Sequence, residues 1–121
     1  MFKKYSRRPT YTIDKKTKRA TLKITENDVK DQAKDYLTKT GWFSFPLLQG
    51  LGSYHGLPDR IAIKNGWVVF IEFKSPTGKQ SEKQIEFQTM IELKGGVYLL
   101  IDNLDDLMAA LDKVLKGVYN K

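Results

Sequence analysis

Ile61-Ala62-Ile63-Lys64-Asn65-Gly66-Trp67-Val68-Val69-Phe70-Ile71-Glu72-Phe73 is the stretch that decides the fold. Two runs rich in β-branched and aromatic residues flank an Asn-Gly pair. That pattern predicts a β-hairpin closed by a two-residue type I′ turn, because both turn positions need positive φ and Asn and Gly adopt it most readily. With Asn65 and Gly66 as the loop, Lys64 faces Trp67, Ile63 faces Val68 and Ile61 faces Phe70. The same register sets Asp59 opposite Glu72. Directly opposed side chains share a face at roughly 5 Å between Cβ atoms. Lys74, two residues beyond Glu72, falls on that face if the strand continues. Two acids and an amine are thus expected together at the open end of the hairpin. Opposed acids repel, so a compensating cation is expected there, and an all-oxygen ligand set selects Mg²⁺ or Mn²⁺ over zinc or copper.

Outward from the hairpin, Pro76, Thr77 and Gly78 end the second strand. A helix is predicted from Ser81, with Ile85, Met90 and Ile91 partly on one face, closed by Gly95-Gly96. The unbroken apolar run Val97–Ile101 reads as a buried strand. Asn103 caps a last helix whose Leu104, Leu107, Leu111, Val114 and Leu115 form one stripe. On the other side, the three glycines between Gln49 and Leu57 predict a mobile loop, and Trp42 to Leu48 a strand. Thr25 and Asp28 open a helix carrying Val29, Ala33, Tyr36 and Leu37, stopped by Gly41. Residues 10–24 alternate loosely and fit either a hairpin or an unpaired arm. The strand–helix–strand unit from Phe70 to Ile101 predicts a right-handed parallel crossover. The expected class is α/β, a mixed β-sheet flanked by helices.

Composition narrows the chemistry. The chain has 121 residues, no cysteine and a single histidine, His55. Thiolate catalysis and disulfides are excluded, and a structural zinc site has almost nothing to use. A Ser-His-Asp triad would need His55, and no G-x-S-x-G elbow is present. Enzymatic chemistry would therefore rest on carboxylates, lysine and a hard metal, with no small-molecule cofactor expected. No apolar run reaches membrane-spanning length, and the basic N-terminus lacks the apolar segment of a secretory signal. A soluble cytoplasmic protein is expected. The net charge is +7, and residues 1–24 hold nine bases against one acid, Asp14, a local +8 that leaves about −1 elsewhere. Lys3, Lys4, Arg7, Arg8, Lys15, Lys16, Lys18 and Arg19 lie in this segment. The chain divides into a basic arm, residues 1–24, and one domain, residues 25–121. A polyanion is the natural partner, since neutralising phosphates releases counterions. A basic run taken alone is also simply a solvated tail.

Each site residue has a plainer reading. Pro58-Asp59 also fits a turn entering a strand, and Glu72 with Lys74 a surface pair of little energetic consequence. Their joint placement beside a glycine-rich loop favours a functional site.

Gly56-Leu57-Pro58-Asp59, Ile71-Glu72-Phe73-Lys74, Gly78 and Gln84 resemble the signature of the PD-(D/E)XK nuclease superfamily. More narrowly, the stretch GLPDRIAIKNGWVVFIEFKSPTGKQSEKQ is similar to the virus-type replication-repair nuclease (VRR-NUC) family. The resemblance covers about residues 25 to 101. It implies a restriction-endonuclease-like PD-(D/E)XK core and Mg²⁺-dependent phosphodiester hydrolysis. It also implies that Asp59, Glu72 and the backbone carbonyl of Phe73 bind the metal and that Lys74 is the catalytic lysine. Glu26 corresponds to the first-helix acid, a further candidate ligand, and Gln84 to the glutamine of the following helix. Glu26 equally suits the helix dipole, and Gln84 equally completes a Ser81-Glu82-Lys83-Gln84 capping box. Lys79 and Lys83 are expected to join the arm in holding the DNA backbone. Small standalone members of the family resemble phage-encoded dimeric resolvases, so a homodimer acting on four-way (Holliday) junctions in DNA recombination and repair is expected. The alternatives are a nuclease of the same chemistry acting on flaps, duplex ends or foreign DNA, and a non-catalytic nucleic-acid-binding module.

Overall fold

The computed structural model describes residues 10–13, 20–23 and 25–119. The chain runs β1 (Thr10–Ile13), β2 (Ala20–Lys23), α1 (Glu26–Lys39), β3 (Phe43–Pro46), β4 (Arg60–Lys64), β5 (Trp67–Phe73), α2 (Glu82–Leu93), β6 (Val97–Ile101) and α3 (Leu104–Leu115). Strands β3-β4-β5-β6 form one mixed sheet in that order, and β1-β2 form a separate two-stranded sheet. This is an α/β architecture with helices flanking a four-stranded sheet.

The central hairpin forms as its sequence dictates. Asn65 and Gly66 both take positive φ, 52° and 81°, as a type I′ turn requires. The β4–β5 ladder then runs from Lys64↔Trp67 to Arg60↔Ile71. β3 joins the other edge of β4 antiparallel, with Phe43 opposite Ile63. β6 pairs parallel to β5, with Val69 beside Val97 and Phe73 beside Ile101.

Side-chain alternation divides the sheet into two faces. Ala62, Val69, Ile71, Phe73, Val97, Leu99 and Ile101 project to one face and are buried there with Val29, Ala33 and Leu37 of α1, Trp42, and Leu107, Leu111 and Val114 of α3. The predicted stripe of α3 supplies the inward side of that helix. Thr25 caps α1 in a capping box with Asp28, and Asn103 caps α3. Each cap satisfies backbone N–H groups that a helix end otherwise leaves open.

The other face carries Phe43, Phe45, Ile61, Ile63, Val68, Phe70, Tyr98 and Leu100, with α2 laid across part of it. Of the expected apolar side of α2, only Ile91 is turned inward. No residue of α2 is buried, and Ile85, Met90 and Leu93 are exposed. The less exposed positions are Gln84, Phe87, Gln88 and Ile91. That set has helical i, i+3, i+4, i+7 spacing, but half of it is polar, so apolar residues alone mispoint the helix. Phe87 makes the contact, with its ring centroid 5.5 Å from Phe70 and 6.2 Å from Tyr98.

Of the two readings for residues 10–24, the hairpin holds: β1 and β2 pair antiparallel, with Tyr11 opposite Leu22 and Ile13 opposite Ala20. Lys3, Lys4, Arg7, Arg8, Lys15, Lys16, Lys18 and Arg19 lie outside the described residues. Among the described residues, no helix is long and apolar enough to cross a membrane.

Candidate active site

The register that places the site holds up to Arg60 and breaks at Asp59, so the predicted facing pair Asp59–Glu72 is not part of the ladder. Extended further, it would set Pro58 opposite Phe73. Proline has no N–H to donate, so a regular ladder cannot continue there. The Asp59 N–H instead bonds back to the Ile71 carbonyl at 3.1 Å. The Phe73 N–H donates to the Asp59 carboxylate, Oδ2, at 2.7 Å. The Asp59 side chain thus accepts the N–H that the Pro58 carbonyl would take in a regular ladder. The same substitution leaves the Phe73 carbonyl without a donor from Pro58.

Glu72 lies one residue away on β5 and is buried completely, with 0% of its surface exposed. Neither carboxylate oxygen has a hydrogen-bond partner among the described residues. The Tyr98 hydroxyl is buried and unpartnered in the same way. The hydroxyl and the Gln80 side chain bias Glu72 toward its charged form from nearby without closing a bond of ordinary geometry. Burial nevertheless dominates and raises the Glu72 pKa above 4.5. Lys74 opposes that shift, and the Asp59 charge adds to it. Tyr98 is raised as well, first by burial and then by the Glu72 charge. An isolated buried carboxylate of this kind is costly unless a counter-charge satisfies it.

Asp59 has a counter-charge of its own. Lys30, in the second turn of α1, places its Nζ 3.5 Å from Asp59 Oδ1 and 3.2 Å from Glu26 Oε2. Burial lowers the Lys30 pKa, but Asp59 and Glu26 outweigh it and leave it raised. Glu26 therefore reaches the site through Lys30. Among the described residues no three His, Cys, Asp or Glu side chains gather in metal-binding reach. Two carboxylates and a backbone carbonyl still fit a hard cation such as Mg²⁺, which commonly binds through one or two carboxylates and keeps several waters. The orphaned Glu72 oxygens are the feature that such an ion would satisfy.

Gln84 is engaged in the cap of α2. Its Oε1 accepts the Ser81 N–H at 2.9 Å, and its own N–H donates to Ser81 Oγ at 3.2 Å. Lys83 pairs with Glu86 at 3.4 Å, and Lys79 is exposed. The glycine-rich segment before Asp59 is internally bonded: Gln49 Nε2 donates to the Leu57 carbonyl and Ser53 Oγ to the Gly50 carbonyl, both at 2.8 Å. Gly56 packs so closely on the first turn of α2 that a Cβ would overlap the Lys83 carbonyl. Tyr54 stacks edge-on to Phe87 at 5.7 Å. The loop is thus packed against α2, and His55 lies exposed on the loop.

Lys30, Gln80 and Tyr98 are site residues that sequence reasoning missed. Lys30 had a signal, four residues after Glu26 on one helix face. Tyr98 sits inside an apolar strand run, where nothing distinguishes it from core. No protein-family model matches this chain, and no curated protein matches it either.

Proposed function

We propose that this protein is a Mg²⁺-dependent (or Mn²⁺-dependent), structure-specific DNA endonuclease with a VRR-NUC-type PD-(D/E)XK core, acting as a homodimeric resolvase of four-way junctions. One observation carries the reading. Glu72 is a wholly buried carboxylate with both oxygens unpartnered among the described residues, close enough to Asp59 and Lys74 to feel both charges. A fold maintains so costly a group where a ligand or a reaction needs it.

In this reading Asp59, Glu72 and the Phe73 carbonyl would hold the metal. When bound, the ion supplies Lewis-acid stabilisation of charge developing on the scissile phosphate. Lys74 carries a positive charge beside Glu72 and meets the same phosphate charge, or orients the attacking water, as electrostatic catalysis requires. The Phe73 N–H fixes the Asp59 carboxylate through Oδ2 and leaves Oδ1 to face a cation. The basic arm, Lys79 and Lys83 hold the phosphate backbone, which positions DNA without reading sequence. Resolving a junction takes two symmetric cuts, and one chain offers one site, so a two-fold dimer follows.

The test is cleavage of labelled four-way junction, flap and linear duplex with Mg²⁺. Lys74→Ala is expected to lose about a hundredfold or more in rate, the scale of removing one charge-stabilising donor, and Asp59→Ala and Glu72→Gln at least as much. Variants that cleave like wild type would overturn the catalytic assignment. Preferential cutting of flaps or duplex ends would keep the chemistry and replace the junction as substrate.

A further inference from the structure

Lys30 occupies a position that neither the hairpin register nor the nuclease motif assigns. It bridges two carboxylates, Asp59 at 3.5 Å and Glu26 at 3.2 Å, from a helix packed on the opposite sheet face from Glu72. Both carboxylates and the lysine side chain are about one-third exposed, so the bridge opens to solvent on one side. The ammonium rests on Asp59 Oδ1, the oxygen left over after the Phe73 N–H has taken Oδ2.

Resting on the metal reading above, we infer that Lys30 is a resident counter-ion of Asp59 that competes with the divalent cation, and that Glu26 is a positioning residue acting through Lys30, not a metal ligand. The physical reason is charge balance. Two cations cannot share one carboxylate oxygen at close range without strong repulsion. Arrival of the ion must therefore displace the ammonium from Asp59. Glu26 lies one helical turn before Lys30 and already holds the same Nζ, so it offers the displaced charge a nearby seat. With Lys30 in place, Asp59 stays compensated while the metal is absent, and Glu72 alone remains orphaned. The pair of carboxylates is thereby built asymmetrically: one arm is guarded and one is waiting.

The assignment reverses the usual expectation for the two α1 residues. Removing a lysine from a site normally weakens whatever binds there, yet removing this one frees Asp59 for the ion. Removing Glu26 strips Lys30 of its alternative partner and leaves it wholly on Asp59. Glu26 and Lys30 should therefore behave as one unit, with the effect of Glu26 vanishing once Lys30 is gone, which a double-mutant cycle measures directly.

The experiment is Mn²⁺ binding to the full chain without DNA, read by electron paramagnetic resonance of free Mn²⁺ at low ionic strength. It compares wild type, Lys30→Met, Lys30→Gln, Glu26→Gln and the Glu26→Gln/Lys30→Met double variant, with folding checked by circular dichroism. Lys30→Met and Lys30→Gln are each expected to tighten binding by roughly tenfold, the lower end of the range in which groups around the ligands tune metal affinity. Glu26→Gln is expected to weaken it, and the double variant to match Lys30→Met. If both lysine variants bind Mn²⁺ no better than wild type, the competition is overturned. If Glu26→Gln weakens binding equally with and without Lys30, Glu26 is a ligand and its positioning role is overturned. A folded wild type that takes up no Mn²⁺ would sink the metal reading itself, which separates that failure from failure of this inference.

Discussion

The two faces of the four-stranded sheet are built to different rules. The face under α1 and α3 is closed: Leu107, Val114, Val69 and Ile71 are fully buried, and α3 contributes an unbroken stripe. The face under α2 is open: α2 buries no residue, while Phe43, Val68 and Leu100 on the strands and Ile85 and Leu93 on the helix are exposed. Yet the only buried charged group among the described residues, Glu72, belongs to this open face. Apolar burial is concentrated on one side and the buried carboxylate lies on the other. A face that does not need every position for packing can hold an unsatisfied carboxylate, because the opposite face supplies the hydrophobic free energy that offsets it.

Substitutions on the two sides can break that contrast. The largest effect is expected in the closed face. Leu107→Ala should cost about 2–5 kcal/mol, because a fully buried leucine leaves a cavity, and denaturant unfolding would read it. If it costs under about 1 kcal/mol, the closed face is not where stability resides. Leu93→Ser, at 72% exposure on α2, should stay within about 0.5 kcal/mol of wild type in the same assay.

Glu72→Met comes next, and its sign is opposite. Replacing a buried unpaired charge by an apolar side chain of similar length should stabilise the metal-free protein by about 1–3 kcal/mol, while abolishing Mg²⁺-dependent stabilisation and cleavage. The folded protein raises the Glu72 pKa above 4.5. Folding therefore favours the neutral acid, and that contribution is fully present below about pH 4.5 and lost as pH rises through the folded value. The stability gap between Glu72→Met and wild type should accordingly widen from pH 4.5 upward and then level off. Thermal melts across pH that show a constant gap would remove the strain from this residue.

A smaller effect than either core or carboxylate change sharpens the comparison at its boundary. Thr25 caps α1, accepting the Asp28 N–H at 3.1 Å while its own N–H donates to Asp28 Oδ2 at 2.9 Å. Thr25→Ala should cost about 1 kcal/mol. Since the first turn of α1 also holds Glu26 next to Lys30, fraying it should loosen the Asp59 bridge without touching Glu72. Hydrogen exchange of the α1 amides would show whether the closed face and the candidate site meet through that turn.

Much of this was legible in the residues because the signals are local. Asn65-Gly66 specifies a turn by backbone conformation alone, and five paired positions follow from it. Thr25, Ser81 and Asn103 start helices because their side chains satisfy backbone N–H groups nearby. The inward side of α2 was not legible, because Gln84 and Gln88 share it with Phe87 and Ile91 and polarity then says nothing about direction. Asp59 was expected to pair with Glu72, but its N–H bonds to the Ile71 carbonyl and its carboxylate accepts the Phe73 N–H, contacts visible only once the strands are paired.

The order of letters by itself determined the hairpin and its register from Lys64↔Trp67 to Arg60↔Ile71, since these follow from turn chemistry and the two-residue period of a strand. Only the tertiary structure decided that Glu72 is buried without a hydrogen-bond partner among the described residues and that Lys30 reaches across from α1 to Asp59. Both depend on which helix covers which face, and burial and ion pairing between distant segments have no counterpart in sequence spacing.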